Sequence, residues 1–418
     1  MVRKVVLDNG MRIVAEKMAS VKSVSIGLWV NVGSRDEEAH EHGISHFLEH
    51  MFFKGTEKRS AKEIAREIDA IGGELNAFTS RETTTFYAKV LDDHLSKAVE
   101  ILSDNFHHST FEPREIEKEK QVVMEEIKMV EDDPEDLVHD LYTKDIWKGN
   151  TLGRPILGTV ETISGMTRKK ILRFLKRAYD PKQIVVSVAG HFDLPPLMKA
   201  LEKAFGKYSA KEVDLHPRLA PQMSPHFQVK KRNLEQVHLC IGTQGLPHRH
   251  PDRYALYVLN TILGGSVSSR LFQEVRERRG LAYSIYSYPS SYQDGGLFTV
   301  YAGTGAKNAP KVIGLILKEF KRLKEKGVDP VELEKAKNHI KGSLMLSMES
   351  TSSRMSKLAK DELYFGRHFS LEEVVREINR VSLDQVQQLA KLLFDSKYLS
   401  LTALGKIDPT LLPHDLSL

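Results

Sequence analysis

The chain has 418 residues, 41% of them hydrophobic and 28% charged, with 61 basic and 56 acidic residues and a net charge of +5. That length exceeds one ordinary core and suggests two domains of roughly 200 residues each. The charges are interspersed rather than blocked, which gives no footing for a nucleic-acid partner. No apolar run approaches the length of a membrane span.

Residues Met1 to Gly10 read as a strand and turn, without the apolar core of a signal peptide or the Arg/Ser-rich helix of a transit peptide. A cytoplasmic location is the simplest inference. A second strand is expected over Ser23–Val32. A helix follows, in Gly43-Ile-Ser-His-Phe-Leu-Glu-His-Met-Phe-Phe-Lys-Gly-Thr56. It places His46 and His50 at i and i+4, on one helical face, where both imidazoles can reach one metal ion. Glu49 lies on the same side and can hold a water beside that ion. The order H-x-x-E-H is the inverzincin signature. Without further ligands the same stretch is an ordinary exposed helical face.

Next come the Gly72-Gly73 turn and a strand through Leu75-Asn-Ala-Phe-Thr-Ser80, then a second strand around Thr85-Phe-Tyr-Ala88. Helices are expected over His94–Phe106 and Pro113–Val130. On the second of these, Glu119 and Glu126 are two turns apart and share a face with Val122 and Val123. A carboxylate turned toward the core needs a partner, because burying it alone is costly. A metal or a ligating histidine would serve. Taken alone, the helix also fits a charged surface helix, and Glu125 is expected in solvent. A strand near 184–189 closes this half. Residues 209–225, with three prolines and mixed polarity, form a linker candidate between domains 1–208 and 226–418.

The second half repeats the first with an offset of about 215 residues. Phe111–Lys120 corresponds to Val328–Lys337, Asp180–Asp193 to Asp395–Asp408, and Thr85–Ala88 to Thr299–Ala302. Its strand Gln236–Thr243 contains the only cysteine, Cys240, which reads as a core residue with no disulfide partner. The counterpart of the histidine helix, Tyr254–Leu263, has no histidine, and Ser343 stands opposite Glu126. Gly264-Gly-Ser-Val-Ser-Ser-Arg270 lacks the glycine spacing that cradles phosphates. Helices at Ala309–Lys326 and Pro330–Met348 and a strand near 398–403 complete the pattern. The fold class is α+β: two homologous domains, each a mostly antiparallel sheet covered by helices.

These motifs resemble the pitrilysin (inverzincin, M16) family of zinc metallopeptidases, most closely its mitochondrial-processing-peptidase-like branch. The resemblance rests on H-x-x-E-H, Glu119, Glu126, Gly72–Glu82, His139 in Asp136–Asp140, and Pro155–Gly158, and it spans nearly the whole chain. It implies one Zn²⁺ per chain, held by His46, His50 and Glu126, with Glu49 as general base and Glu119 orienting a ligating histidine. It implies that Asn76, Ala77 and Phe78 lie on an edge strand to which a peptide substrate adds by main-chain hydrogen bonds. In the second half, Arg276 and Tyr283 match the family's Arg/Tyr element, with Gly280 ending the helix that carries Arg276. A guanidinium can fix a substrate carbonyl and a phenol can donate to an oxyanion; by themselves these residues also read as a solvated basic helix end. Double-length relatives carry four such domains, with the metal in the first and the Arg/Tyr pair in the fourth; matching this chain's second half to that fourth domain implies that Arg276 and Tyr283 reach the zinc of a partner chain, in a homodimer with composite active sites. The expected activity is metalloendopeptidase action on unfolded peptides. The alternative is a non-catalytic scaffold or assembly subunit.

Overall fold

The computed structural model describes residues 2–209, 215–413 and 416–418. Positions 210–214 of the expected linker lie outside them. The chain forms two compact units, neither of which is contiguous in sequence. The first is Met1–Met129, Arg154–Arg218 and Leu346–His368; the second is Val130–Gly153, Leu219–Met345 and Phe369–Leu418.

The strands are β1 (Val2–Val6), β2 (Arg12–Lys17), β3 (Ser23–Val30), β4 (Glu74–Thr79), β5 (Thr84–Leu91), β6 (Ile184–Gly190), β7 (Phe227–Lys231), β8 (Val237–Gln244), β9 (Ala282–Ser291), β10 (Gly296–Thr304) and β11 (Ser400–Gly405). The helices are α1 (Ile44–Met51), α2 (Ala61–Asp69), α3 (Leu95–His108), α4 (Pro113–Asp132), α5 (Pro134–Ile146), α6 (Val160–Ser164), α7 (Arg168–Ala178), α8 (Leu194–Phe205), α9 (Arg253–Leu263), α10 (Ala309–Lys326), α11 (Pro330–Ser347), α12 (Thr351–Phe365), α13 (Leu371–Arg380) and α14 (Leu383–Leu393).

In the first unit the sheet order is β1-β2-β6-β3-β5-β4. Every pair is antiparallel except β2–β6. One face packs Ile26, Leu28, Phe86 and Val186 against Phe47 of α1, Leu102 of α3, Phe174 of α7 and Phe205 of α8. The other face packs Val14, Trp29, Val185 and Ala189 against Met355, Leu358 and Ala359 of α12. Two buried hydroxyls on that face are satisfied by the same helix: Ser187 donates to the Met355 carbonyl (2.7 Å) and Ser25 pairs with Thr351 (2.8 Å). With both faces covered, a central strand has no solvent side. This is why β6, Ile-Val-Val-Ser-Val-Ala-Gly, is buried along its whole length and does not alternate.

The second unit repeats the design. Its order, β7-β11-β8-β10-β9, matches β2-β6-β3-β5-β4, again with one parallel pair, β7–β11. One face packs against α9, α10 and α14 through Leu259, Phe320 and Leu393. The other is covered by α5, whose Val138, Leu141 and Tyr142 meet Cys240, Leu297 and Tyr301. Cys240 is buried and unpaired, as expected. Each sheet therefore takes its single covering helix from the opposite half of the sequence. No helix among the described residues is long and apolar enough to cross a membrane.

Element bounds differ from the sequence reading by a few residues. The strand expected over Ser23–Val32 stops at Val30, and the helix expected from His94 starts at Leu95 and continues to His108. Helix α4 runs past Val130 to Asp132, where Asp133 caps the next helix and Pro134 occupies its first position.

Candidate metal centre

Helix α1 starts at a sharp turn. Gly43 has φ +91°, and a Cβ there would lie 2.7 Å from the Leu157 carbonyl and 2.9 Å from Gly158, so only glycine fits. The Pro155–Gly158 segment is thus the surface on which the helix begins. The Glu37 carboxylate accepts the backbone N–H groups of Gly43 (2.7 Å) and Ser45 (2.8 Å) at the positive end of the helix. Burial pushes the Glu37 carboxyl up to about 8, against the lowering effect of those two bonds.

From this start, His46 and His50 project from one face, their ring centroids 4.7 Å apart. Glu126 of α4 meets both: its Oε2 is 3.6 Å from His46 Nε2 and 3.4 Å from His50 Nε2. Ligand atoms of a tetrahedral zinc at about 2.1 Å stand about 3.4 Å from one another. One donor atom from each of the three residues lies within 4.8 Å of the other two, and these are the only such His/Cys/Asp/Glu set among the described residues. Two imidazoles and one carboxylate at this spacing fit a divalent zinc ion.

The surroundings match ligand duty. His50 Nδ1 lies 3.0 Å from Glu119 Oε2, and Lys54 Nζ is 2.6 Å from Glu119 Oε1. Burial alone would raise the Glu119 carboxyl, but the bonds from His50 and Lys54 outweigh it and hold the group below its usual range. Burial would likewise lower His50, yet Glu119 and Glu126 raise it above the ordinary histidine value. Burial, with the adjacent His50, pushes His46 down to about 3, so its ring is neutral and able to ligate. Burial raises the Glu49 carboxyl, partly offset by Thr79, and its Oε2 is buried without a hydrogen-bond partner.

The expected face of α4 needs one correction. Glu119 and Val123 are buried, but Val122 is 43% exposed. The buried stripe runs through Ile116, Glu119, Lys120, Val123 and Ile127, and Val122 falls outside it. Glu125 is exposed and paired with Lys128, as expected.

Strand β4 is the last in its sheet, paired only with β5, so its outer edge is unpaired among the described residues. It packs beside α1. Asn76 and Phe78 are exposed, with Phe78 edge-on to Trp29, while Ala77 points into the core. Arg276 and Tyr283 belong to the second unit. Arg276 sits on a π-helical turn, Phe272–Glu277, where a regular helix end was expected. Gly280, at φ +58°, ends that turn by donating to the Arg276 carbonyl (2.9 Å), and Tyr283 is the second residue of β9. The guanidinium lies 4.9 Å from the Tyr283 ring centroid, and Tyr283 is 77% exposed.

Glu37, Lys54 and Thr79 were not anticipated. Lys54 carried a signal, since it stands four residues beyond His50. Glu37 carried none, because five residues, Glu38 to His42, separate it from Gly43 and match no regular capping interval. Replacing Glu119 with glutamine is expected to weaken zinc binding about 10- to 100-fold, measured by competition with a chelating dye. Unchanged affinity would assign Glu119 to Lys54 alone.

A family model described as Insulinase (Peptidase family M16) matches residues 12–160, and one described as Peptidase M16 inactive domain matches residues 165–340. The chain is 48% identical to an "Uncharacterized zinc protease" of Bacillus subtilis, over 98% of this chain and 99% of that one. It is 41% identical to a protein of the same description from Streptomyces coelicolor, covering 93% and 86%. Among solved structures, a protease from Helicobacter pylori superposes with TM-score 0.89 at 24% identity, covering 97% of this chain and 99% of that one. A chain of complex III2 from Candida albicans superposes with TM-score 0.86 at 22% identity over 100% of both. These two likenesses are of fold.

Proposed function

The chain belongs to peptidase family M16, and from that premise we propose that it is a zinc-dependent endopeptidase acting on unfolded peptides or short protein segments. One observation carries the reading: two imidazoles meeting one Glu126 oxygen at 3.6 and 3.4 Å, all three donors within 4.8 Å of one another, beside a carboxylate whose buried oxygen has no partner. His46, His50 and Glu126 hold one Zn²⁺ per chain. When bound, the ion supplies Lewis-acid polarisation of the scissile carbonyl and a lowered pKa for water. Glu119 fixes the tautomer and angle of the His50 ring through its Nδ1. Glu49 accepts a proton from the attacking water and passes it to the leaving amine.

The free edge of β4 aligns the substrate as an added strand, with Asn76, Ala77 and Phe78 flanking the bond to be cut. Main-chain pairing tolerates varied side chains but takes only extended segments. Arg276 and Tyr283 act on the metal site of a second copy, so that a two-fold homodimer carries two composite sites. The exposure of Tyr283 favours this arrangement. The unpaired, buried Cys240 suits a reducing cytoplasm.

The test is digestion of a mixed peptide pool by the full chain, read by mass spectrometry. Treatment with 1,10-phenanthroline should abolish cleavage and stoichiometric zinc should restore it, while a stable folded domain in the same mixture stays intact. Cleavage that survives metal removal would overturn the catalytic reading. Rapid cutting of the folded domain at buried sites would overturn the edge-strand reading.

A further inference from the structure

Behind α1, within the first unit, lies a cavity of about 550 Å³. Its walls are mainly aromatic and aliphatic: Leu48 and Phe52 from the back of α1 and its C-terminus, Phe86 of β5, Phe106 of α3, Phe111 and Tyr179. This volume and lining fall in the range of small-molecule sites, which are mostly apolar with a few placed polar groups.

Polar groups reach the lining too, among them His107, Lys176 and the Tyr179 hydroxyl, which is itself buried without a hydrogen-bond partner; the most deeply buried is Asn105 of α3, 1% exposed. Both its Oδ1 and its Nδ2 are buried without a hydrogen-bond partner. Leaving a buried amide unpaired is costly, and native structures do so rarely. A second feature marks the same wall. Phe111, at φ +48°, is the only non-glycine residue with positive φ among the described residues. Such strain persists where the surroundings hold it and gathers at binding sites. The metal centre uses neither residue.

We propose that this cavity is a binding site for a small aromatic or aliphatic molecule bearing a primary carboxamide or an equivalent cis-amide edge. The chemistry follows from Asn105. Its side chain offers one acceptor and one donor group side by side. The complementary edge is a donor and an acceptor on the same side of one planar group. A primary amide has that edge. A trans peptide bond does not, because its N–H and C=O point in opposite directions. A carboxylate would set one oxygen against Asn105 Oδ1. The apolar body of the ligand then rests on the ring walls and on Leu48, which lies between His46 and His50 on α1. The site therefore touches the back of the metal-binding helix without sharing any of its ligands.

Titration calorimetry on the full chain tests this with two probes, 4-phenylbutanamide and its N,N-dimethyl analogue, which lacks the donor. The primary amide should bind, and the analogue about tenfold or more weakly, as expected for the loss of a buried hydrogen bond with a partner left unpaired. Asn105→Leu should bind the two probes alike. Leu175→Trp, which fills the cavity from α7, should bind neither, and it decides the matter if Asn105→Leu does not fold. No binding by the unaltered chain would mean that Asn105 is met by water only and would overturn the proposal. Equal binding of both probes by the unaltered chain would do the same, by reducing the cavity to an apolar hole. Because the readout is binding rather than hydrolysis, these outcomes are independent of the peptidase reading.

Discussion

Replacing Glu49 with glutamine is expected to lower kcat/KM for a peptide substrate by a factor of about 10²–10⁴ while leaving bound zinc in place. Glutamine keeps the size and one acceptor oxygen of the side chain but cannot take a proton. None of the three donor atoms at the metal site comes from Glu49, so the metal's coordination survives the change. His50→Ala provides the contrast. It removes one of those donors and leaves the buried Glu119 facing Lys54 alone, so zinc and activity should be lost together. Zinc content by atomic emission, read beside hydrolysis of a quenched fluorescent peptide, separates the two. A Glu49→Gln protein that cleaves near the wild-type rate would mean the base is another group.

Mixing Glu49→Gln chains with Tyr283→Phe chains is expected to regenerate activity that neither has alone. If Tyr283 of one chain serves the metal site of the other, a mixed dimer has one site with both residues intact and one with neither. Random exchange makes half of the dimers mixed, so about a quarter of wild-type activity should return. Were Tyr283 to act on the metal of its own chain, no combination would hold an intact site and nothing would return. Subunit exchange is verified by native mass spectrometry with one chain isotopically labelled. Exchange without recovered activity would exclude the composite site.

How much of this was readable beforehand depended on the range of the interaction. His46, Glu49 and His50 are related by one helical turn, so local geometry fixes their meeting whatever the fold. Glu126 lies far along the chain, and its choice over the other carboxylates of α4 came from the family's spacing. The seven-residue interval placed Glu119 and Glu126 together correctly but said little of their neighbours, and Val122 proved exposed. That β4 is an edge strand follows from strand order, which no run of six residues encodes. The π-helical turn under Arg276 lacks a sequence signature. Asn105 was invisible for a different reason: an unpaired amide is defined by what fails to surround it. The destination of α12 was equally hidden, since its apolar stripe fits any apolar surface of the right width.

That helix also bears on how the molecule is made. The first sheet is complete in strands when β6 ends at Gly190, yet the helix that covers Trp29, Val185 and Ala189 does not finish until Phe365. At about 5–20 residues per second, the nascent chain waits roughly 10–35 s with one apolar face of a finished sheet open to water. During that interval it is a natural client for a holding chaperone at the ribosome exit. The late arrival of α12 also makes the first unit's folding dependent on contacts of very long sequence separation, the kind that slows folding. A ribosome stalled between β6 and α12 would release a chain that carries His46, His50 and Glu126 and lacks the helix that covers the second face of their sheet.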